Sequence, residues 1–565
     1  MTKFRNLIEA LDAAPANHPF ITAWIDEDER ETVTFGEFRL RACHQAQILR
    51  EAGASAGDRV VIIMPQGIPA MAAFVGAMVL GAVPAFLAYP NFKVEPTKYA
   101  SGLAGVTANL QAKVVMIDQE FPQEILAAIS LSHETVVVRG GKRTMFAAET
   151  ETPALQRLPH ELAFIQHSAG TTGLQKGVAL THRAVLTQLD HLAHALGIDA
   201  TSDRVYSWLP LYHDMGLIAC FMLPMICHLH VVIQSPIDWV MHPETMLQII
   251  GEYKCTLAWM PNFAFQFVPR RAPKSCWTQY DLSSLRALIN CSEPVRASSM
   301  DEFQHAFTAI GLKRNALQSS YAMAENVFAV TQSDTSQCAG PARICADDRR
   351  FRTEHRIEPV AEGTKGSICF VSSGKLLPHH EVRIISDKGE SRADGQVGEI
   401  LIKSDSLFDG YFNRLDLTVA ALIDGWYCTG DLGFFWEDEL YVVGRKKDVL
   451  IIGGENIYPQ DIEEIGATHP AIHDGRVIAL GVYNPDLGTE EIVLVAEVQR
   501  RDLLSAAAQI EQELRSLIVS AMGVAVKTIV LKPPKWIVKS TAGKAARSAT
   551  QEKLMKEHPE FNIKT

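Results

Sequence analysis

Ser168-Ala169-Gly170-Thr171-Thr172-Gly173-Leu174-Gln175-Lys176-Gly177 is the stretch on which the reading of this chain turns. It sets three glycines, a serine, two threonines and one lysine between two apolar runs, Leu162 to Ile165 and Val178 to Leu180, each of which reads as a short strand. Glycines let backbone N–H groups come close to an anion, hydroxyls add donors, and the lysine adds a point charge. Those are the parts of a loop that grips a triphosphate. It is not a Walker A loop, because Lys176 is followed by Gly177 rather than Ser or Thr and the glycine spacing differs. Taken alone, the run also reads as a Gly/Thr-rich hairpin turn.

The rest of the chain bounds what such a loop can serve. At 565 residues it exceeds one core, which predicts two or more domains. With 47% hydrophobic and 21% charged residues it has the composition of a globular protein. A net charge of −12 argues against nucleic acid as the main partner. The ten cysteines show no CxxC pair or Cys/His zinc spacing, which predicts buried, reduced thiols in a cytoplasmic protein. Met1 to Ala13 carries Glu9 and Asp12 and no apolar segment, so no signal peptide is expected. Ala70 to Tyr89 is long enough to span a bilayer, but Gly76, Gly81 and Pro84 interrupt it. It reads as a buried helix, a turn and a buried strand, Ala82 to Leu87. Gly216 to Ile233 contains Pro224, His228 and His230, and no membrane span is expected there either.

Strand-like runs alternate with helical patterns along most of the chain. Val60 to Met64, Val114 to Ile117, Glu134 to Val138, Val231 to Gln234, Thr256 to Met260 and Ala287 to Cys291 read as buried strands, with helices at Met246 to Tyr253 and Ser298 to Ile310. This predicts an α/β fold of layered, mostly parallel sheets. From about Gly366 to Gly444 the texture turns to short β runs (Ser367 to Val371, Glu381 to Ile385, Glu399 to Lys403), a β-rich subdomain. The charged run Arg445-Lys446-Lys447-Asp448 then predicts a boundary, with residues 1–444 as the large N-terminal domain. Residues 445–565 become a small α+β domain with a helix at Leu503 to Met522 and strands at Val477 to Val482 and Ile492 to Val498.

Six further segments stand in order after the Gly/Thr run. They are Trp208-Leu209-Pro210-Leu211-Tyr212-His213-Asp214-Met215-Gly216-Leu217, Asn290-Cys291-Ser292-Glu293-Pro294-Val295, Ser320-Tyr321-Ala322-Met323-Ala324-Glu325, Tyr427-Cys428-Thr429-Gly430-Asp431-Leu432-Gly433, Gly444-Arg445-Lys446-Lys447-Asp448 and Lys539-Ser540-Thr541-Ala542-Gly543-Lys544. Each alone has a plain structural reading as wall, turn or solvated surface. Together, and over nearly the whole chain, they resemble the adenylate-forming superfamily of acyl-CoA synthetases, fatty-acyl-AMP ligases, luciferases and peptide-synthetase adenylation domains.

That resemblance implies an AMP-forming acid–thiol ligase that uses ATP and Mg²⁺. A carboxylate attacks the α-phosphorus of ATP, and a thiol then attacks the acyl-AMP. Carried over by position, Ser168, Gly170, Thr171, Thr172, Gly173 and Lys176 hold phosphates. Ser292, Glu293, Pro294, Ser320, Tyr321, Ala322 and Met323 shape the nucleotide site, with Tyr321 offering a face to adenine. Asp431 accepts from the ribose hydroxyls and Arg445 supports the ribose. Glu325, with Thr172, is placed at Mg²⁺. Lys544 brings positive charge to the reacting carboxylate and α-phosphate. His213 stands where the acyl pocket meets the nucleotide, or is a structural histidine beside a loop. Lys447 marks the hinge about which a mobile C-terminal domain turns. Gly453 and Gly454 would flank a pantetheine path, or form a plain turn. Met215, Leu217, Ile218, Trp259, Phe263 and Met323 are candidates for an apolar acyl pocket, alongside Met260 and Phe265.

Within the superfamily, Trp208 to Ile218, Pro261-Asn262-Phe263-Ala264-Phe265 and Ser292 to Arg296 look like the fatty-acyl-AMP ligase branch. So does Ala324, where many CoA ligases have Thr. The long stretch from Glu325 to Gly398 includes Cys338 to Gly366, polar and without clear periodicity, and matches an insertion held to restrain the C-terminal domain in that branch. Glu455 and Ile457 look instead like CoA ligases. The expected partners are a fatty acid and the phosphopantetheine of an acyl carrier protein. The alternatives are an acyl-CoA synthetase, a non-catalytic relative that binds acyl-adenylate or a carrier, and an unrelated P-loop kinase.

Overall fold

Short apolar runs buried on both faces make parallel strands, because helices must cover each side. The computed structural model describes residues 4–26, 28–90, 96–129, 135–140, 157–167, 176–336, 340–452, 455–484, 489–539, 545–558 and 561. In chain order its strands begin β1 (Pro19–Trp24), β2 (Arg30–Thr34), β3 (Arg59–Ile63), β4 (Val83–Phe86), β5 (Val114–Asp118), β6 (Val136–Gly140), β7 (Leu162–His167) and β8 (Gly177–Thr181). They continue with β9 (Arg204–Ser207), β10 (His230–Gln234), β11 (Leu257–Met260), β12 (Ala287–Asn290) and β13 (Leu317–Ser319).

A seven-stranded sheet runs β13-β12-β11-β9-β10-β1-β2. All its neighbours pair in parallel except β1 with β2. A four-stranded parallel sheet, β4-β3-β5-β6, forms a second layer. The apolar helix Ile68–Val79 lies in the main core. A Cβ at Gly76 would stand 2.6 Å from the Ala42 carbonyl oxygen, so glycine lets helix Phe35–Glu51 pack directly on it. Ala70 to Tyr89 is thus a helix, a turn and a strand, and among the described residues no helix is long and apolar enough to cross a membrane. β7 and β8 form an antiparallel pair, extended by Gly410–Tyr411.

Beyond β13 the chain turns to antiparallel β structure. His380–Ile385, Gly398–Ser404, Trp426–Trp436, Leu422–Ile423 and Glu439–Arg445 make one five-stranded sheet. Farther on, Ile472–Asn484, Thr489–Val498 and Val526–Lys532 make a three-stranded sheet. Helices Pro459–Ala467 and Ala507–Met522 close its core, which includes Leu450, Ile462, Leu494, Leu514 and Ile518. The fold is α/β, with a large N-terminal part and a smaller C-terminal one.

Several expectations change in detail. The helix placed at Leu503 to Met522 starts at Ala507, after a 3₁₀ turn over Arg501–Ala506, and the one at Ser298 to Ile310 ends at Phe307 before a 3₁₀ turn. Met215–Met222 is a π-helical stretch. The segment read as lacking periodicity contains, from Gly340 on, regular elements: strand Arg343–Asp347 and helix Asp348–Glu354 precede strand Ser367–Val371, which pairs back on the first. That register sets Cys345 opposite Cys369, and the two form a disulfide, so the expectation of uniformly reduced thiols fails for this pair.

Candidate active site

Six parallel strands end on the same side of the large sheet, and a sheet built this way offers its ligand crevice at the carboxyl ends. The residues that follow those ends line one cleft of about 2180 Å³. Ser320 to Glu325 follow β13, Ser292 to Arg296 follow β12, and Pro261 to Phe263 follow β11. Trp208 to Met215 follow β9, Ser235 to Asp238 follow β10, and Ile25 follows β1. Thr429 to Asp431, Tyr411, Tyr427 and Arg445 to Asp448 also line it, as do Lys535, Ile537, Lys539, Ala545 and Arg547.

Ser168, Gly170, Thr171, Thr172, Gly173, Gly453, Gly454 and Lys544 lie outside the described residues. Their flanks do not. His167 and Lys176 bracket the Gly/Thr run and both line the cleft, and Ala545, next to Lys544, lines it too. His167 is fully buried, and burial pushes its imidazole down to about 4, so it is neutral at pH 7.

Two tyrosines organise the carboxylates. The Tyr321 hydroxyl donates to Asp431 Oδ2 at 2.6 Å, while Arg445 Nε stands 3.4 Å from Oδ1. Burial pushes the Asp431 carboxyl up, against the opposing pull of Arg445 and the Tyr321 hydroxyl, and Asp431 in turn holds Arg445 above its ordinary value. Both Asp431 oxygens thus have partners among the cleft's own side chains. The Tyr411 hydroxyl donates to Glu325 Oε1 at 2.7 Å, and Lys176 Nζ lies 4.5 Å from the centre of the Tyr411 ring. Burial and the Glu325 charge push the Tyr411 hydroxyl well up, so it stays a donor.

Tyr411 and Tyr427, whose hydroxyls lie 3.4 Å apart, are not among the site residues expected from the sequence, although Tyr427 opens the run Tyr427 to Gly433. Tyr411 sits in a two-residue strand with no periodicity to betray it, and only its pairing with Val178 in β8 brings it under Lys176. Among the described residues no three His, Cys, Asp or Glu side chains gather as a metal cage. Glu325 as one hard oxygen ligand suits Mg²⁺ held mainly by phosphates.

His213 Nδ1 lies 2.6 Å from Asp214 Oδ1, and Asp214 also accepts from the Met215 N–H at 2.8 Å. The turn is held from below: a Cβ at Gly216 would come within 2.3 Å of the Pro210 carbonyl oxygen. Glu293 accepts from the Phe263 N–H at 3.0 Å, which ties the loops after β12 and β11. The Ser320 hydroxyl donates to the Thr331 carbonyl at 2.7 Å and is already engaged. Pro294, Ala322 and Met323 line the cleft, Ser292 lines it with a φ of +68°, and Lys447 lines it with its side chain exposed.

The acyl-pocket candidates divide. Met215, Phe263 and Met323 line the cleft. Leu217, Ile218 and Trp259 are not among its lining residues and pack in the main core. Met260 and Phe265 are buried there as well. Trp259 falls inside β11 rather than past its end, and Leu217 and Ile218 fall within the π-helical stretch. Trp208 and Phe267 line the cleft and were not among the candidates. Trp208 stacks on Trp239, ring centroids 3.7 Å apart.

The C-terminal part is tied to the cleft wall by charge. Arg296 reaches Asp461 at 2.8 Å and Glu464 at 3.3 Å, and Arg270 reaches Asp474 at 2.5 Å. The ordered segment after Gly340 also touches it. Arg352 donates to the Met522 carbonyl at 3.0 Å, and the Phe351 ring stacks on Tyr458 with centroids 5.3 Å apart.

Known proteins share this plan. The family model described as "AMP-binding enzyme" matches residues 11–412. A medium-chain-fatty-acid–[acyl-carrier-protein] ligase, JamA, of Moorena producens is 30% identical over 88% of this chain and 86% of its own. A 4-hydroxyphenylalkanoate adenylyltransferase of Mycobacterium marinum is 29% identical over 98% of this chain and 92% of its own. A solved structure from a study of fatty acyl-adenylate ligases from E. coli and L. pneumophila superposes with a TM-score of 0.90 at 28% identity, covering 99% of each chain.

Proposed function

We propose, from the premise that this chain belongs to the AMP-binding enzyme family, that it activates a fatty acid as acyl-AMP and passes the acyl group to the phosphopantetheine thiol of an acyl carrier protein. It is an AMP-forming ligase of the fatty-acyl-AMP ligase kind. A carboxylate oxygen bonds to the α-phosphorus of ATP and the bond to the β-phosphate oxygen breaks, releasing pyrophosphate. The thiol sulfur then bonds to the acyl carbon, AMP leaves, and the thiol proton goes to solvent or base.

The observation that carries the reading is that the Lys176–Tyr411–Glu325 group and the Tyr321–Asp431–Arg445 cluster line one cleft. It supplies cations for departing pyrophosphate and a carboxylate for the ribose. Catalysis of this kind is positioning and charge neutralisation. In this reading Thr171, Thr172 and Lys176 grip the β- and γ-phosphates, and Lys544 neutralises charge at the attacked phosphate. Glu325, helped by Thr172, is the protein's ligand to Mg²⁺, which shields charge on the phosphates when bound. His213, held beside Asp214, lies between acid and nucleotide. Met215, Phe263, Met323 and Trp208 contact the acyl chain, and each buried CH₂ adds about 0.8 kcal/mol of affinity. Residues 445–565 would turn as a unit about Lys447, bringing Gly453 and Gly454 to the pantetheine arm. A cytoplasmic setting supplies the ATP.

The segment that includes Phe351 and Arg352 favours a carrier protein over free CoA, because its contacts to Tyr458 and Met522 restrain that turn. The competing reading, an acyl-CoA synthetase, draws on Glu455 and Ile457. Fatty-acid-dependent exchange of labelled pyrophosphate into ATP tests the first step. Exchange above background with one or more fatty acids is expected. None with any acid, at saturating ATP and Mg²⁺, would leave only a non-catalytic binder.

A further inference from the structure

Glu497, at the end of strand Thr489–Val498, is a carboxylate with no exposed surface. A buried carboxylate is costly unless its oxygens are matched by donors. Here three donors converge on it. The backbone N–H of Ile537 reaches Oε1 at 2.5 Å, that of Lys535 reaches Oε2 at 2.9 Å, and Arg476 Nη1 lies 3.4 Å from Oε1. The same Arg476 nitrogen donates to the Ile537 carbonyl at 3.4 Å. Lys535, between the strand that ends at Lys532 and the anchored Ile537, takes a φ of +72°. A non-glycine residue is seldom found there, so the clamp holds a turn that the chain resists.

That turn leads straight to the segment carrying Lys544. Ile537 is buried, Val538 donates to Thr550 Oγ1 at 3.2 Å and accepts from the Ala546 N–H at 2.8 Å, and Lys539 bridges to Ala545 in antiparallel fashion. Lys539 and Ala545 thus pair, and both line the cleft. The stretch from Ala545 on has its own carboxylate, Glu463, which takes Arg547. Glu497 itself does not line the cleft.

We infer that Glu497, through Arg476 and the turn at Lys535, is a positioning residue for Lys544 in the adenylation step: it fixes the leg, Lys535 to Lys539, that precedes the lysine in the chain. This rests on the role given to Lys544 under the proposed function. A displacement of about 1 Å in a reacting group costs on the order of a hundredfold in rate. A clamp that fixes this leg therefore acts on acyl-AMP formation and not on thiol transfer from acyl-AMP already made.

The test measures both half-reactions in the full chain: pyrophosphate release from ATP and fatty acid, and transfer from supplied acyl-AMP to whichever thiol the unaltered chain uses, CoA or phosphopantetheinyl carrier. Glu497→Gln is expected to slow the first about tenfold or more and to leave the second within about twofold. Equal loss in both, as general damage to this part of the chain would give, overturns the inference, and so does no loss in either. Lys535→Val covers the case in which Glu497→Gln does not fold: it alters an exposed side chain, and a β-branched residue disfavours the positive φ. It is expected to show the same selective loss, and Glu497→Gln/Lys535→Gly to recover part of the adenylation rate. Loss in both steps, or in neither, would overturn the inference here as well. Lys544→Ala, run alongside, separates the failures. If it leaves pyrophosphate release intact, the lysine's role falls and takes the clamp with it. If it is selective while Glu497→Gln is not, only the clamp falls.

Discussion

Tyr411 ties two sites together, with its hydroxyl on Glu325 and its ring under Lys176. If Glu325 holds Mg²⁺ as proposed, a second partner of this kind orients the ligand, and losing one typically weakens metal affinity or activity about 10- to 100-fold. Tyr411→Phe keeps the ring and removes only the donor. It should therefore raise the Mg²⁺ concentration for half-maximal pyrophosphate exchange by about tenfold while leaving the KM for fatty acid unchanged. An unchanged Mg²⁺ requirement would remove Glu325 from the metal's surroundings. Lys544→Ala should lower acyl-AMP formation on the order of a hundredfold or more and spare transfer from supplied acyl-AMP. Glu325, Asp431, Lys176 and Arg445 could be named from motif letters because each stands in a run of distinctive composition. Tyr411 could not, since it is placed by a two-residue strand paired across the chain with β8, and Tyr427, although it opens the run that carries Asp431, shows its place in the cleft only through its hydroxyl beside that of Tyr411.

Elements decide which of the acyl-pocket candidates line the cleft. A stretch of sequence around a motif does not say which residues fall past a strand's end, where the loops that line the cleft begin. Phe263 and Trp208 follow the ends of β11 and β9 and line the cleft, whereas Trp259, inside β11, packs in the main core. The turn that carries His213 depends on Gly216, where any Cβ would collide with the Pro210 carbonyl. Gly216→Ala should cost about 1–3 kcal/mol of stability, read as a lowered Tm. It should also impair adenylation by shifting His213. Of the segment Arg343 to Val371 only the strand Ser367–Val371 is legible in the sequence; strand Arg343–Asp347 and helix Asp348–Glu354 are too short, at five and seven residues, for a periodicity to mark them. If its contacts to Tyr458 and Met522 restrain the C-terminal part, Arg352→Ala with Phe351→Ala should raise acyl-CoA formation from free CoA. Mass spectrometry of the thioester products would show it, and unaltered product ratios would assign the choice of thiol elsewhere.

Across the whole molecule, the layered parallel core was the most legible feature, since runs such as Val60 to Ile63 and Val114 to Ile117 are apolar without alternation and can only be buried on both faces. That core also holds histidines that fold neutral. Burial pushes His167, His182 and His230 down to about 4 from an ordinary 6.5, and His182 Nδ1 accepts the Leu7 N–H, which protonation would spoil. Because the unfolded chain binds these protons more readily, stability rises with pH across this range. The contribution is fully present above about pH 6.5 and is lost as pH falls toward 4, so the Tm should drop steadily over that interval. Substituting His182 with Gln should flatten part of the slope.

The central claim is that the cleft joins a fatty acid to AMP. Purified protein incubated with ATP, Mg²⁺ and fatty acids of graded length, with and without CoA, and resolved by mass spectrometry, tests it most directly. The account predicts acyl-AMP bound to or released from the protein, with CoA left untouched until a phosphopantetheinyl carrier is supplied. Acyl-CoA made over many turnovers would contradict the choice of carrier, and ATP left intact with every acid would contradict the claim itself.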